Sequence, residues 1–526
     1  MRPPKTTQPG LLLALISIPI FIGALDLTVV SAVLPHVIVD LEIPLQTGLD
    51  DAAWIVTGYL LAYSVSMTFM GRLSDLYGRR RIYLIALVIF AFGSYLVAVA
   101  QGWPTQLALR TGYLFVSGRL DASYVTLYVL IAARMIQAFG AGTMVPVGMA
   151  LVADIYPVDL RARSLGVIAA VDTAGWVVGH LYGGIIVRFW SWETIFWLNL
   201  PICLIAFLLI WYLMRAVPQV RSAGSMDWFG ALLITVALAL LNIGLGSSTD
   251  GVTLNALDET SGLSQYSFPL VFAALTFLIL FLWRQKKARY PLLALSLFKR
   301  QNYLAASLAN FLVGFSLFDA IANVPLFINT LVATSLEQGA WDSGWMLSAL
   351  TIPLALASAP GGWLSEKRGY RLPAAGGLIL AVLGFLLMRS WQPATPYPIL
   401  AYQLAFSGIG IGLTMAPIAA AVVNASPPDQ RGISSALVII FRLIGMTVGI
   451  SSITTYDLLR ADALSESLLS AQPTINETIR VGLEVTEQVI SETFVIAGIV
   501  AALALIPVLS LRSTFNQTSE VNNERE

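Results

Sequence analysis

An all-α integral membrane fold of fourteen spanning helices is expected here, as two pseudo-symmetric six-helix bundles plus two extra central helices. Of 526 residues, 57% are hydrophobic and 11% charged, against roughly 25% charged in soluble globular chains. The apolar residues gather in runs near the ~20 that a helix needs to cross a bilayer, where backbone polar groups must be satisfied within the segment. Two loop patterns also recur far apart in the chain, as a duplicated bundle would place them.

The first run, about 11–34, follows a short tail carrying Arg2 and Lys5. It outlasts the core of a cleaved signal and reads as a retained span. Runs at about 52–70, 82–100, 124–150, 164–187 and 193–214 complete a first bundle, 11–214. Spans at about 227–245 and 267–283 make a region, 227–283, without a counterpart elsewhere. Spans at about 303–329, 343–364, 372–390, 397–423, 432–456 and 492–511 make the second bundle, 303–511. Between them stand Gly, Pro, Asp and basic residues, the usual loop formers. The connection 457–491 mixes apolar and acidic residues at helical spacing. A solvated outer loop is expected there, with an amphipathic helix or a docking site for a partner protein as alternatives.

Orientation follows from Lys and Arg in the short loops. With the N-terminus cytoplasmic, only Arg110, Arg119, Arg188, Arg389, Arg460 and Arg480 fall on the far side. Arg134 and Arg442 lie inside spans, and the rest of the 30 Lys and Arg are cytoplasmic. Both termini are therefore expected in the cytoplasm, with the protein multi-pass in the plasma or inner cell membrane.

The repeat has the form G-x-L-S-[DE]-x-x-G-x-R. It occurs as Gly71 to Arg80 with Asp75 and Gly78, and as Gly362 to Arg371 with Glu366 and Gly369, offset by 291. Pro157-Val-Asp159-Leu-Arg161 recurs as Pro427-Pro-Asp429-Gln-Arg431, offset by 270. That second offset aligns Gly175 and Gly179 with Gly445 and Gly449. The two offsets differ by 21, so the first copy needs extra residues between its second and fourth spans, and the stretch 101–123 supplies them.

At these residues the chain resembles the major facilitator superfamily, and more narrowly its fourteen-helix drug:proton antiporter branch. Gly71-Arg-Leu-Ser-Asp75-Leu-Tyr-Gly78-Arg79-Arg80-Arg81 is similar to the family's signature loop between spans 2 and 3. Leu25-Asp26-Leu-Thr28-Val-Val-Ser31-Ala-Val-Leu-Pro35 resembles the first-span motif of that branch, with Ser31 in place of the usual Asn. Arg134-Met-Ile-Gln137-Ala-Phe-Gly140 resembles the fourth-span motif, and Trp54 and Tyr59 match the second span. The fifth-span antiporter glycines Gly166, Gly175, Gly179, Gly183 and Gly184 are all present, with His180 where the family has Pro. The resemblance implies that Arg134 helps couple proton movement to substrate exchange. It also implies a cytoplasmic latch at Asp75, Arg79 and Arg80 that stabilises the outward-facing state.

Ionisable groups inside a bilayer cost a few kcal/mol on insertion scales, and those that persist usually face a cavity. The candidates are Asp26, Arg134, Asp172, His180, Asp319 and Arg442. Asp26 is expected to take up a proton; a structural hydrogen bond is the alternative. Asp172 and Arg442 are equivalent under the 270 offset, each three residues before its Gly-x3-Gly. Opposite charges at related sites suit partners that alternate between two states, or plain anchors. His180 reads as a packing residue among glycines that let helices approach closely. Asp319 and Asn323 form a polar stripe one turn apart. Trp54, Tyr59 and Gln137 are expected near the cavity with Asn323.

Other classes find no support. Net charge is zero, so nothing points to nucleic acid. One cysteine, Cys203, and two histidines, His36 and His180, make neither an internal disulfide nor a Cys/His metal site. No GxxxxGK[ST] loop or hydrolase triad is present, so no enzyme is expected. No cofactor is expected either; a proton gradient is the energy source. The expected function is proton-coupled export of lipophilic or cationic small molecules by alternating access, among membrane lipids. A lipid or glycolipid flippase, or a specific metabolite exporter, is the alternative. A non-transporting sensor or scaffold is a third class, disfavoured by the intact loop motif and the intramembrane charges.

Overall fold

The computed structural model describes residues 9–43, 45–114, 120–216, 219, 221–246, 267–469 and 474–512, and every regular element among them is helical. The first seven helices are α1 (Pro9–Asp40), α2 (Leu45–Tyr77), α3 (Arg79–Ala98), α4 (Trp103–Gly112), α5 (Ala122–Ile155), α6 (Val158–Phe189) and α7 (Glu193–Leu213). Then come α8 (Trp228–Gly246) and α9 (Ser267–Lys287). The late helices are α10 (Gln301–Phe327), α11 (Leu336–Arg368), α12 (Arg371–Met388), α13 (Tyr397–Asn424), α14 (Arg431–Leu468), α15 (Ile475–Leu503) and the short α16 (Leu505–Leu509). Among the described residues 13 helices are long and apolar enough to cross a membrane, and Trp228–Leu241 is a shorter apolar helix, consistent with about fourteen crossings.

Several elements exceed their predicted bounds, because helices continue past the end of the apolar run that marks a span. The extra stretch in the first copy is itself partly helical: α4 begins at Trp103 with Pro104 in the first turn, where a missing N–H costs nothing. The expected solvated loop at 457–491 is corrected. There α14 runs on to Leu468 and α15 starts at Ile475, so two helices stand beyond the apolar core. Val481, Val485 and Val489 are buried against Ala461, Leu464 and Leu469. This i, i+4, i+8 stripe gives the extension an apolar seam of its own. Arg460 forks onto Glu492, with Nε at 2.8 Å and Nη2 at 3.0 Å, and the Tyr456 hydroxyl donates to the same carboxylate at 2.6 Å.

Close helix approach is glycine-made and recurs at, or within one residue of, the two repeat offsets. A Cβ on Gly93 would strike the Gln137 backbone, and one on Gly384 would strike Ser407. Gly140 meets Ala86 and Phe90 in α3 as Gly410 meets Gly377 and Ala381 in α12. Gly175 and Gly179 meet Phe21 and Leu25 in α1 as Gly445 and Gly449 meet Phe311 and Phe315 in α10. Without Cβ atoms these backbones touch directly, the mode of packing that apolar solvent favours. The α8–α9 pair is tied at one end by Asp227, which accepts from Gly230 N, Gln285 Nε2 and Arg284 at 3.0–3.3 Å. Ala231, Leu233 and Phe281 of this pair pack with Phe69 of α2 and Leu437 of α14.

Candidate functional site

Asp26 lies fully buried in α1 and anchors a polar cluster drawn from four helices. Arg134 Nη1 approaches Asp26 Oδ2 at 2.5 Å and also donates to Gln137 Oε1 at 2.6 Å. Gln137 Nε2 donates to Asp26 Oδ1 at 3.0 Å and to Ser94 Oγ of α3 at 2.7 Å. Asn199 Nδ2 of α7 completes the set at 3.3 Å from Asp26 Oδ1. The guanidinium lies 4.1 Å from the Tyr59 ring centroid, a distance at which a cation gains from the ring quadrupole. Tyr59 is buried, and its hydroxyl donates to Gly23 O at 3.3 Å. It thus stacks on the protein's own cation, whereas Trp54 is 41% exposed.

Midway along α6, Asp172 Oδ2 stands 3.8 Å from Arg442 Nη2 of α14. The two equivalent positions therefore meet each other directly. Asp319 is fully buried in α10, where Asn323 Nδ2 donates to its Oδ1 at 2.7 Å and to Thr493 Oγ1 of α15 at 3.0 Å. Its Oδ2 has no hydrogen-bond partner. Asp457 of α14 also has a buried, unpartnered oxygen, Oδ1. The Tyr456–Glu492 and Asn323–Thr493 bonds bring Asp457 and Asp319 to the same turn of α15.

The arginine-rich end of the molecule, called the basic end below, carries two latches related by the repeat. Asp75 accepts from Gly432 N at 2.9 Å and Ile433 N at 3.2 Å, at the N-terminus of α14. These are the free amides and positive dipole end of a helix, a favoured place for a carboxylate. Arg79 holds the same carboxylate at 2.8 Å, pairs with Asp154, and donates to Pro428 O at 2.6 Å. At the equivalent place Glu366 of α11 accepts from Arg163 N of α6 at 3.2 Å. Gly71 lies against Gly432, and Gly362 against Ala162. Arg431 binds Asp154 at 3.2 Å, and the equivalent Arg161 binds Asn424. Arg80 instead turns to the connection after α7, with its N–H on Gln219 Oε1 and Nη1 on Met214 O, both at 2.9 Å. Gly78 between them has φ +100°, a conformation side chains rarely adopt.

Of the antiporter glycines, Gly166 abuts Ser358 and Ala359 of α11, while Gly175 and Gly179 abut α1. Gly183 is buried. Gly184 departs from the packing expectation: it is exposed, with open space where a Cβ would stand. It faces away from the neighbouring helices. The side chains of His180, Ser31 and Pro35 lie outside the described residues.

The family profile of the Major Facilitator Superfamily matches residues 16–450 and 306–525. The chain belongs to that superfamily. This member is a secondary transporter in the membrane and not an enzyme. It is 31% identical over 482 residues to a triacylglyceride transporter of Mycolicibacterium hassiacum, covering 89% of this chain and 83% of the relative. It is 29% identical over 527 residues to a probable triacylglyceride transporter of Mycobacterium leprae, covering 96% of each. The fold matches the human organic anion transporter MFSD10, with TM-score 0.58 and 15% identity over 96% of this chain and 100% of that one. It also matches the proton:xylose symporter XylE, with TM-score 0.59 and 13% identity over 95% and 94%.

The transporter's clusters contain residues that reading the sequence missed. Ser94 and Asn199 are ordinary small polar letters in apolar helices. Asp154 gave one available signal, an acid just before a motif repeated at Asn424. Asp457 falls in the stretch whose polarity predicts a loop, and nothing in that pattern signals a buried carboxylate oxygen. Ser222 is the least visible. Its N–H donates to Asp75 O at 2.7 Å and its Oγ to Asp429 O at 2.8 Å, while Arg72 Nη1 donates to Oγ at 2.9 Å.

Proposed function

We propose that this chain exports a lipid, of the triacylglyceride class, by proton-coupled alternating access. The two six-helix bundles, 11–214 and 303–511, rock against each other, with α8 and α9 alongside the α2–α14 seam. The basic end is cytoplasmic, a reading the Lys and Arg asymmetry supports. The observation that carries the mechanism is the repeat-related pair of latches at that end. Each joins the bundles through a carboxylate on the opposite bundle's helix N-terminus or backbone. Engaged latches on the cytoplasmic side belong to the outward-facing state.

Release requires a differential interaction with the two states. The Asp172–Arg442 pair joins the bundles midway along α6, so cargo or a proton that engages either side chain biases the seam. Asp26 and Arg134 form a proton site: protonation of Asp26 removes the counter-charge of a buried arginine and frees it to move. Asp319, whose second oxygen is unpartnered, serves as a further acid in the second bundle.

The names of the relatives favour lipid cargo over drug cations. The arrangement agrees, since the carboxylate of Asp26 is already held by Arg134 and offers a cationic drug no free charge. Export of lipophilic cations is the second reading, favoured by the unneutralised Asp319. Reconstitution separates them. Proteoliposomes under an inward-acid gradient are expected to move labelled triolein and not ethidium. Asp172→Arg or Arg442→Asp alone should abolish that movement, and the charge-swapped double variant should recover part of it. Equal triolein movement with and without the gradient would sink proton coupling; ethidium transport alone would establish the drug reading.

A further inference from the structure

A groove of about 650 Å³ runs between α11 and α13 at the end opposite the basic one. Deeper in the molecule these helices touch: Gly408 lies against Leu350 and Gly412 against Leu354. They part toward Asp342 and Tyr397, and the wedge between them is walled by Trp345, Ile352, Ala401 and Tyr402. Trp345 and Ile352 belong to an exposed stripe on α11 that also holds Trp341, Leu356 and Trp363. That stripe continues to the basic end, where Trp363 carries Lys367 at 3.9 Å from its ring, as an interfacial anchor does. A face that is apolar along the whole span looks into hydrocarbon rather than into the water-filled seam.

The mouth of the groove is polar and acceptor-rich. Asp342 Oδ2 accepts from the Tyr397 hydroxyl at 2.6 Å and from Gln338 Nε2 at 3.3 Å. Among the described residues Asp342 makes no ion pair. Pro353 within the groove wall has no N–H to offer the carbonyl of Ala349. From Asp342 to Ile352 the helix rises ~15 Å, half of the ~30 Å hydrocarbon thickness and so the depth of one leaflet.

We propose that this groove is a binding site for one outer-leaflet aminophospholipid, with an acyl chain between α11 and α13 and its ammonium on Asp342. The carboxylate selects the head by charge: it attracts an ammonium and repels an anionic lipid. The apolar walls take the chain. The site is separate from the Asp26 cluster and does not depend on which cargo is exported.

The test uses the full chain in nanodiscs of equimolar phosphatidylethanolamine and phosphatidylglycerol, with bound lipid read by native mass spectrometry. The wild type should retain phosphatidylethanolamine preferentially. Asp342→Asn should reduce that preference roughly two- to fivefold, the scale of one partly exposed ion pair. Ala401→Trp, which fills the groove, should lose the lipid altogether. Trp345→Ala, which removes a wall without adding bulk, should weaken retention of both lipids if the larger variant does not fold. Equal retention of the two lipids by the wild type would overturn the proposal. So would an unchanged preference in Asp342→Asn.

Discussion

A carboxylate and a guanidinium in hydrocarbon are tolerable only as a pair, and Asp26 and Arg134 illustrate the terms. Both are essentially fully buried, and Asp26 Oδ1 has Gln137 and Asn199 as added donors. Asp26→Asn leaves Arg134 buried without a counter-charge, a loss on the order of 3–5 kcal/mol. The expected result is a clear fall in Tm together with loss of proton-coupled transport. Asp26→Asn combined with Arg134→Gln should restore most of the Tm, since neither charge then remains, while transport stays lost. Recovery of transport in the double variant would remove these residues from the coupling. The charged letters of this cluster were legible because the bilayer makes each one expensive. Ser94 and Asn199 were not, because a neutral polar residue costs little until its partner is known.

At the scale of elements, span positions were legible from apolar runs, but helix ends were not. A run ends where the bilayer ends, whereas a helix ends where its hydrogen bonds and packing do. The α14–α15 extension shows the difference. Its sequence is polar enough to read as a loop, yet Val481, Val485 and Val489 share one face and find Ala461, Leu464 and Leu469 opposite. The extension is therefore expected to behave as a small cooperative unit. Val485→Asp places an unpaired carboxylate in that seam at a cost on the order of several kcal/mol. Amide hydrogen exchange should quicken across 475–490 and stay unchanged around Asp26. Uniform quickening throughout the chain would mean that the extension is not a separate unit. The repeat was the most legible element of all, since Gly71 and Asp75 do at one seam what Gly362 and Glu366 do at the other.

For the whole molecule, those two seams are related but unequal, and the inequality has a consequence. Asp75 is fully buried, accepts two backbone amides and Arg79, and has Ser222 bound to its own carbonyl. Glu366 is only half-buried and accepts one amide. Hydrogen bonds to charged groups contribute ~1.5–3 kcal/mol each, so Asp75 contributes more to closure of the basic end. Asp75→Asn keeps the shape and removes the charge. It should shift the equilibrium toward the state open at that end by a factor on the order of ten to a hundred, and Glu366→Gln by several-fold. Nitroxide pairs at Leu160 of α6 and Leu372 of α12, both exposed, would report the opening as a long-distance population by electron-electron resonance. Buried Cys203 need not be removed before labelling. If Glu366→Gln opened the molecule as much as Asp75→Asn, closure would depend on a symmetric sum of the two seams, and the hierarchy read from burial and donor number would be wrong.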